Sequence, residues 1–470
     1  MAARARRTKI VATIGPASSS EEMLARLIEA GIDGARLNFS HGTQEEHAAN
    51  ARAVRAAQEA AGRPLALIAD LQGPKLRVGE MPRPVVLLPG DAVVIAGEDS
   101  ARPDDVPVSP SVVGSVLRPG HDVLIADGLV HLRVERVESG RALCRAVTGG
   151  AVEEHKGVNV PGVALPVPSL TAKDLSDLEV AVEAGVDYVA QSFVRSRADV
   201  AELRAKLEEA GSEAWVIAKI ELKEAVAALD EILDEADAVM IARGDLGVEL
   251  GVAEVPLTQK RIILAALERG KPAITATQML ETMVSRPEPT RAEASDVANA
   301  ILDGTSAVML SAETAVGAYP LEAVRTMDTI ACAVEPSLGY RHQLPAAAES
   351  PTVGRAMSNA ACDLAEALSA KAILVPTFTG RTASAVARLR PQRPIVALTH
   401  VRVSLQHMAL EWGVTPVEIP ESRDVEDLWR NSLEAARRAG IVEAGDRVVL
   451  TAGTAVNIPG STNVIKVDVA

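Results

Sequence analysis

The chain has 470 residues, too many for one ordinary domain and enough for two or three. Hydrophobic residues make up 48% and aromatic ones only 2%, so Val, Ile, Leu and Ala must fill the core, as suits parallel strands buried under helices. With 48 basic against 63 acidic residues, the net charge of −15 disfavours nucleic acid and anionic membrane as partners, but not a small anionic substrate gripped by local charge.

The start, MAARARRTKIVATIG, is basic, but its apolar run is short and no signal-peptide cleavage region follows. No stretch approaches the roughly 20 apolar residues of a membrane span. A soluble cytoplasmic protein is expected. Cys144, Cys332 and Cys362 lack metal-ligand spacing and read as isolated thiols of a reducing compartment.

Short apolar runs alternate with longer amphipathic stretches, the pattern of βαβ units. Strands are predicted at Lys9–Ile14, Ala35–Asn38 and Ala66–Leu71, and again at Tyr188–Phe193, Val216–Glu221, Ala238–Ala242, Ala273–Thr277 and Ala307–Leu310. Helices fill most gaps. Ser20–Ala30 carries serine caps and first-turn acids and stops at Gly31, and Thr258–Arg269 stops at Gly270. Eight such strands predict a closed (β/α)8 barrel.

From Gly73 to about Pro168 the rhythm changes to alternating runs such as VVLLPGDAVVIAG, punctuated by Pro-Gly, Asp-Gly and Ser-Gly turns. This predicts an inserted antiparallel β-barrel domain, leaving the main barrel at the loop face where active sites sit. Tyr340–Ser350 reads as a linker. Beyond it AILVPTFTG, PIVALTH, VTPVEI and RVVLTAG alternate with helices, predicting a C-terminal α/β domain. The expected division is 1–71 and 168–338 for the barrel, 72–167 for the insertion and 339–470 for the last domain.

Polar residues gather at the C-terminal ends of the predicted strands: Arg36 and Asn38, Asp70, Ser192, Lys219 and Glu221, Arg243 and Asp245, Thr277, and Glu313. In a barrel these ends converge on one mouth. Lys219 and Glu221, two apart, point to one face of their strand. With Asp245 they form either a structural ion-pair cluster or a two-carboxylate site for a hard cation such as Mg2+, and the convergence of the other residues favours the cation. A phosphorylated carboxylic acid fits such a mouth, with Arg36 on phosphate oxygens and Lys219 on developing negative charge.

The motifs TKIVATIGPAS, RLNFSHG at Arg36–Gly42, DLQGPKLR at Asp70–Arg77, KGVNVPG at Lys156–Gly162 and SFVR at Ser192–Arg195 resemble those of pyruvate kinases. So do IAKIE at Ile217–Glu221, IARGDLGVEL at Ile241–Leu250, ATQMLETM at Ala276–Met283, PTRAEASDVANAILDG at Pro289–Gly304 and MLSAET at Met309–Thr314. They occur in family order over nearly the whole chain. The resemblance implies phosphoryl transfer from phosphoenolpyruvate to ADP, giving pyruvate and ATP. It assigns Lys219 to the transition state, and Glu221 and Asp245 to Mg2+ or Mn2+. Arg36, Ser192, Lys219, Gly244, Asp245 and Thr277 go to the substrate, with Thr277 near the protonation of the enolate. Asn38, His41, Arg77 and Lys156 go to the nucleotide, Lys156 arriving from an insertion that closes as a lid over the mouth.

One departure bears on cofactors. Potassium-requiring relatives place a threonine and a glutamate where this chain has Leu71 and Lys75. A lysine ammonium is a compact charge that can stand in for a monovalent cation beside Asn38, Ser40 and Asp70. Potassium is therefore expected to be dispensable, the alternative being that Lys75 is a solvated loop lysine. In the last domain PTFTGRTAS offers Thr377, Thr379, Gly380, Arg381 and Thr382 to a phosphate, and the resemblance makes this an allosteric pocket for a phosphorylated effector. The loops Glu411–Gly413 and Thr451–Asn463 are expected to complete it. A homotetramer, and the shorter family layout without an extension after Ala470, are also implied. The competing readings are a magnesium-dependent barrel lyase or aldolase and a non-catalytic sugar-phosphate sensor.

Overall fold

The computed structural model describes residues 6–339, 352–454, 460 and 462–470. The predicted linker at 340–350 and much of the 451–463 loop lie outside them. Eight parallel strands close one barrel: β1 (Lys9–Thr13), β2 (Gly34–Asn38), β3 (Ala66–Asp70) and, after the insertion, β13 (Tyr188–Gln191), β14 (Trp215–Ile220), β15 (Ala238–Ala242), β16 (Ala273–Ala276) and β17 (Ala307–Leu310). Each begins or ends within two residues of its predicted limits, because a strand buried on both faces is a continuous apolar run.

Between β3 and β13 run β4 (Leu76–Val78), β5 (Val85–Leu87), β6 (Ala92–Gly97), β7 (Val106–Ser109), β8 (Asp122–Ile125), β9 (Val130–Glu138), β10 (Arg141–Thr148), β11 (Gly150–Val152) and β12 (Gly157–Asn159). Seven of them close a second barrel in the order β10-β6-β7-β4-β12-β8-β9, while β5 and β11 pair apart. The expectation of an antiparallel barrel needs one correction: β6 and β7 pair in parallel. A 3-10 turn at Glu98–Ser100 opens their connection, so the chain returns in the same direction instead of folding back as a hairpin.

The last domain is a five-stranded sheet ordered β20-β19-β18-β21-β22, from β18 (Ala372–Pro376), β19 (Ile395–Thr399), β20 (Val414–Glu418), β21 (Arg447–Gly453) and β22 (Thr462–Val469). It is parallel except for β22, which runs antiparallel to β21.

Local chemistry sets the helix limits. Ser20 caps helix Glu21–Ala30 by accepting from the Met23 N–H, and Gly31 ends it at φ 120°. Capping boxes start helices at Thr43 and Thr290. The helix expected from Thr258 begins at Val255, since Pro256 is tolerated in a first turn.

Strand alternation divides the main core in two. On β14, Val216, Ala218 and Ile220 face the helices. Ile217 faces the barrel interior, with Val11, Ile68, Tyr188, Met240 and Ile274. Lys219 is the next inward position after Ile217, so the two-residue period delivers a lysine to the mouth. Ala409 and Leu410 of the last domain belong to the same interior cluster. Among the described residues no helix is long and apolar enough to cross a membrane. No disulfide forms among Cys144, Cys332 and Cys362, and burial pushes the Cys144 thiol up to about 12.

Candidate active site

The parallel register sets Asn38 beside Asp70, and Asp70 beside Ala190, so the ends of β2, β3 and β13 lie level. Lys219 stands at the centre. Its Nζ lies 3.0 Å from Glu221 Oε1 and 3.1 Å from Asp70 Oδ1, and donates to Ser192 Oγ at 2.6 Å. Ser192 in turn donates to the Leu71 carbonyl at 2.7 Å. On the far side of Asp70, Arg36 Nε donates to Oδ2 at 2.6 Å and its Nη1 to Thr13 Oγ1 at 3.1 Å.

All of these side chains are buried, and their charges answer one another. Burial would pull the Lys219 ammonium down, but Asp70 and Glu221 hold it up at about 12. For Asp70 the burial cost is overcome by Lys219 and Arg36, and its carboxyl falls below the usual range. Glu221 goes the other way. Burial and the like charge of Asp245 raise it against the pull of Lys219. Its second oxygen accepts the Phe193 N–H at 2.7 Å, with Phe193 at φ 55°.

Asp245 lies in the first turn of helix Arg243–Leu250. The preceding Arg243 clamps the end of β16, donating to the carbonyls of Ala276 at 3.1 Å and Thr277 at 2.7 Å, while Asp296 accepts from it at 2.8 Å. Thr277 and Gln278 have φ of 74° and 54°, uncommon for side-chain-bearing residues, and the clamp holds that strained turn. A Cβ on Gly244 would come within 3.2 Å of Thr277 Cγ2, so glycine lets the two segments meet.

The two carboxylates expected to hold a divalent cation are thus near enough for Asp245 to raise Glu221, and both offer hard oxygens. Each already faces an ammonium, Lys219 on Glu221 and Lys75 on Asp245 at 2.8 Å. Cation-seeking oxygens of this kind fit a magnesium-like ion. Among the described residues no group of three or more His, Cys, Asp or Glu could hold a metal, so substrate oxygens and water would complete the shell. Of the alternative ion-pair cluster among Lys219, Glu221 and Asp245, the Lys219–Glu221 pair forms, whereas Asp245 pairs outside it, with Lys75.

Other predicted residues disperse. Lys75 bonds Asp245 instead of joining Asn38, Ser40 and Asp70, and with 19% of its side chain exposed it is no solvated loop lysine. Asn38 Oδ1 accepts the Ser40 N–H at 3.3 Å. His41 is lowered by burial and by Arg77, Arg36 and Lys75, which places it among the cations of the mouth. Arg77 donates to the His155 carbonyl at 3.0 Å, and Lys156 pairs with Glu153 at 3.3 Å, so Lys156 keeps to the inserted barrel. Asp70 does more than expected. The sequence sets it beside a monovalent cation, yet it joins Arg36 to Lys219, and its position beside Asn38 at two strand ends is the available signal.

In the last domain a cavity of about 720 Å³ is lined by Arg355, Thr377, Thr379, Arg381, Thr382 and His400, among others. Gly380, at φ 83°, caps the following helix and donates to Thr377 Oγ1. Gly453, Gly460 and Thr462 line the cavity as expected, but Glu411–Gly413 does not. That loop is instead buried against the main barrel. Gly413 N–H donates to the Arg7 carbonyl, and the Trp412 ring lies 4.6 Å from the Arg390 guanidinium.

Comparison with known proteins decides the family. The pyruvate kinase barrel domain matches residues 5–324, and the pyruvate kinase alpha/beta domain matches 355–468. The chain belongs to the pyruvate kinase family. A pyruvate kinase of Geobacillus stearothermophilus is 44% identical over 472 residues, covering 99% of this chain and 80% of that protein. One from Methylorubrum extorquens is 42% identical over 99% of this chain and 97% of its own length. A third, from Mycobacterium intracellulare, is 44% identical over 98% of both. Membership of the pyruvate kinase family supports the kinase reading and gives none to the lyase, aldolase or sensor alternatives.

Proposed function

We propose that this chain transfers the phosphoryl group of phosphoenolpyruvate to ADP. The phosphorus–oxygen bond to the enol oxygen breaks, a bond to the terminal phosphate of ADP forms, and the enolate takes a proton at carbon to give pyruvate. The observation that carries the reading is Lys219, a buried ammonium held between Asp70, Ser192 and Glu221 at the mouth of the barrel. It sits where charge on the transferring group needs a fixed partner, in a place water hardly reaches. Arg36, pinned by Asp70, grips phosphate oxygens. Gly244 and Asp245 present the carboxylate end of the substrate to the helix start, and Thr277 sits beside the carbon that gains the proton.

Glu221 and Asp245 would hold Mg2+ or Mn2+, whose charge would neutralise substrate oxygens when bound. Asn38, His41, Arg77 and Lys156 are assigned to the nucleotide, with the 72–167 insertion as a lid that brings Lys156 over the mouth. The 168–338 segment completes the 1–71 barrel, and the 339–470 domain binds a phosphorylated effector in the cavity around Arg381, within a cytoplasmic homotetramer.

We also propose that potassium is not required, because the Lys75 ammonium keeps a compact positive charge at the mouth. Pyruvate formation from phosphoenolpyruvate, ADP and Mg2+ tests both statements. Wild type should be active without potassium, and Lys75→Glu should become potassium-dependent. No ADP-dependent pyruvate under any condition would overturn the kinase. Wild-type activity only with potassium would overturn the role of Lys75.

A further inference from the structure

Lys75 can keep its charge at the mouth only if a long, flexible side chain is held there against about 2 kcal/mol of rotamer entropy. One holding contact is Asp245, whose Oδ1 lies 2.8 Å from Nζ. A lone ion pair with 19% and 22% of its two side chains exposed holds little by itself. Asp245 is also assigned to the divalent cation, which draws on the same carboxylate. A standing ammonium therefore calls for a second contact, one that a metal ion does not share.

Phe193 supplies it. The Lys75 Nζ lies 5.8 Å from the centroid of the Phe193 ring, within reach of the negative face of its π system. The connection that carries Lys75 packs on the same ring, since a Cβ on Gly73 would come within 3.0 Å of Phe193 Cδ2. Gly157 of the inserted barrel makes room for the lysine stem, where a Cβ would come within 3.0 Å of Lys75 Cε. The ring is itself pinned. Its neighbours Ser192 and Val194 are both buried, and between them Phe193 takes a left-handed backbone at φ 55°. Its N–H donates to Glu221 Oε2 at 2.7 Å. A backbone that costs on the order of 1–3 kcal/mol persists only where its surroundings fix it, and such residues cluster at active sites.

We propose that Phe193 is a positioning residue for the phosphoryl transfer, its ring seating the Lys75 ammonium at the mouth. Its main-chain N–H meanwhile fixes Glu221, so one residue orders both the standing cation and a carboxylate of the metal pair. The inference rests on the reading of Lys75 as the charge that makes potassium dispensable. Phe193 acts through Lys75 and Glu221, and its two parts separate by chemistry. The N–H survives any side-chain replacement except proline, so substitutions of the ring report on the lysine. With a weaker seat the ammonium spends less time at the mouth, and potassium gains room to supply the missing charge.

The test measures pyruvate formation from phosphoenolpyruvate, ADP and Mg2+ in potassium and in an equal concentration of tetramethylammonium, a cation too bulky for the site. Wild type should turn over equally in both. Phe193→Leu is apolar but has no π face. It should fall about 3- to 10-fold in tetramethylammonium and recover in potassium, the range of a cation–π contact partly out of water. Phe193→Tyr keeps the face and should show no potassium response. Trifluorophenylalanine at position 193 keeps the shape but depletes the face, so it should respond to potassium as the leucine does, even if the leucine variant fails to fold. In a Lys75→Met background, Phe193→Leu should leave the potassium response unchanged. Equal losses in both salts overturn the seat, as does a fluorinated ring that behaves like phenylalanine or a tyrosine that behaves like leucine. If wild type itself needs potassium, the reading of Lys75 fails and the seat with it. If Lys75→Glu gains potassium dependence and none of the ring substitutions does, Lys75 stands and Phe193 alone loses its part.

Discussion

The two ends of the main barrel are made by the same eight strands, yet one is charged and the other is stoppered. At the C-terminal ends Arg36, Asp70, Lys219 and Glu221 face one another across the mouth. At the N-terminal ends the last domain pushes Ala409 and Leu410 into the interior. Around that plug the Trp215 and His407 rings stack at 4.2 Å, and the Tyr188 hydroxyl donates to the His407 carbonyl at 2.6 Å. Burial keeps His407 neutral, lowered to about 4. One end spends burial on charges that must answer each other, and the other spends it on apolar area. Substitutions at the two ends should therefore fail in different ways.

The largest effect is expected at the charged end. Lys219→Met removes the cation between Asp70 and Glu221, and the turnover of phosphoenolpyruvate and ADP should fall by about 10³-fold, as when a fixed transition-state partner is lost. The same change leaves two buried carboxylates facing each other, which costs on the order of 3–5 kcal/mol when a buried pair is broken. Steady-state kinetics and thermal melting of the same protein read both. A variant that melts early but keeps its turnover would remove Lys219 from the chemistry.

Leu410→Ala tests the stoppered end. The side chain is fully buried, and its Cδ2 lies 3.0 Å from where a Cβ on Gly34 would sit, so β2 packs directly on it. The cavity left behind should cost about 2–5 kcal/mol. Turnover of the folded fraction should stay within about twofold of wild type, because no charged group of the mouth touches the plug. Loss of turnover without loss of stability would show that the two ends are coupled more tightly than their contents suggest.

Much of this contrast was legible in the sequence, for physical reasons that also mark where reading stopped. The barrel strands were found because burial on both faces writes a continuous apolar run, and Lys219 with Glu221 because a two-residue period is local. Partners distant in sequence leave no such trace. Nothing near DLQGPK indicates that Lys75 meets Asp245, or that Asp70 is shared between Arg36 and Lys219. The parallel pairing of β6 with β7 depends on how the chain returns after Glu98–Ser100, not on its alternation. Glu411 and Trp412 misled for the opposite reason. A Glu-Trp-Gly triplet after a helix reads as an exposed binding loop, and its burial arises from the docking of a second domain.

Glu411 gives the smallest and most diagnostic effect. Its carboxyl is buried, and burial pushes it up to about 7, although Ser384 donates to it at 2.5 Å and Arg390 lies nearby. An unfolded glutamate has its ordinary value near 4.5, so the folded state holds the proton more tightly. Stability from this group is therefore complete below about pH 4.5 and lost as the pH rises through 7. The loss amounts to about 3 kcal/mol at most. Glu411→Gln keeps a polar group against Ser384 and carries no charge to bury, so its melting temperature should fall less between pH 5 and pH 8 than that of wild type. Parallel pH profiles for the two proteins would mean that Glu411 stays ionised, with Arg390 as its partner, and that the seam beneath the barrel is held by charge as the mouth above it is.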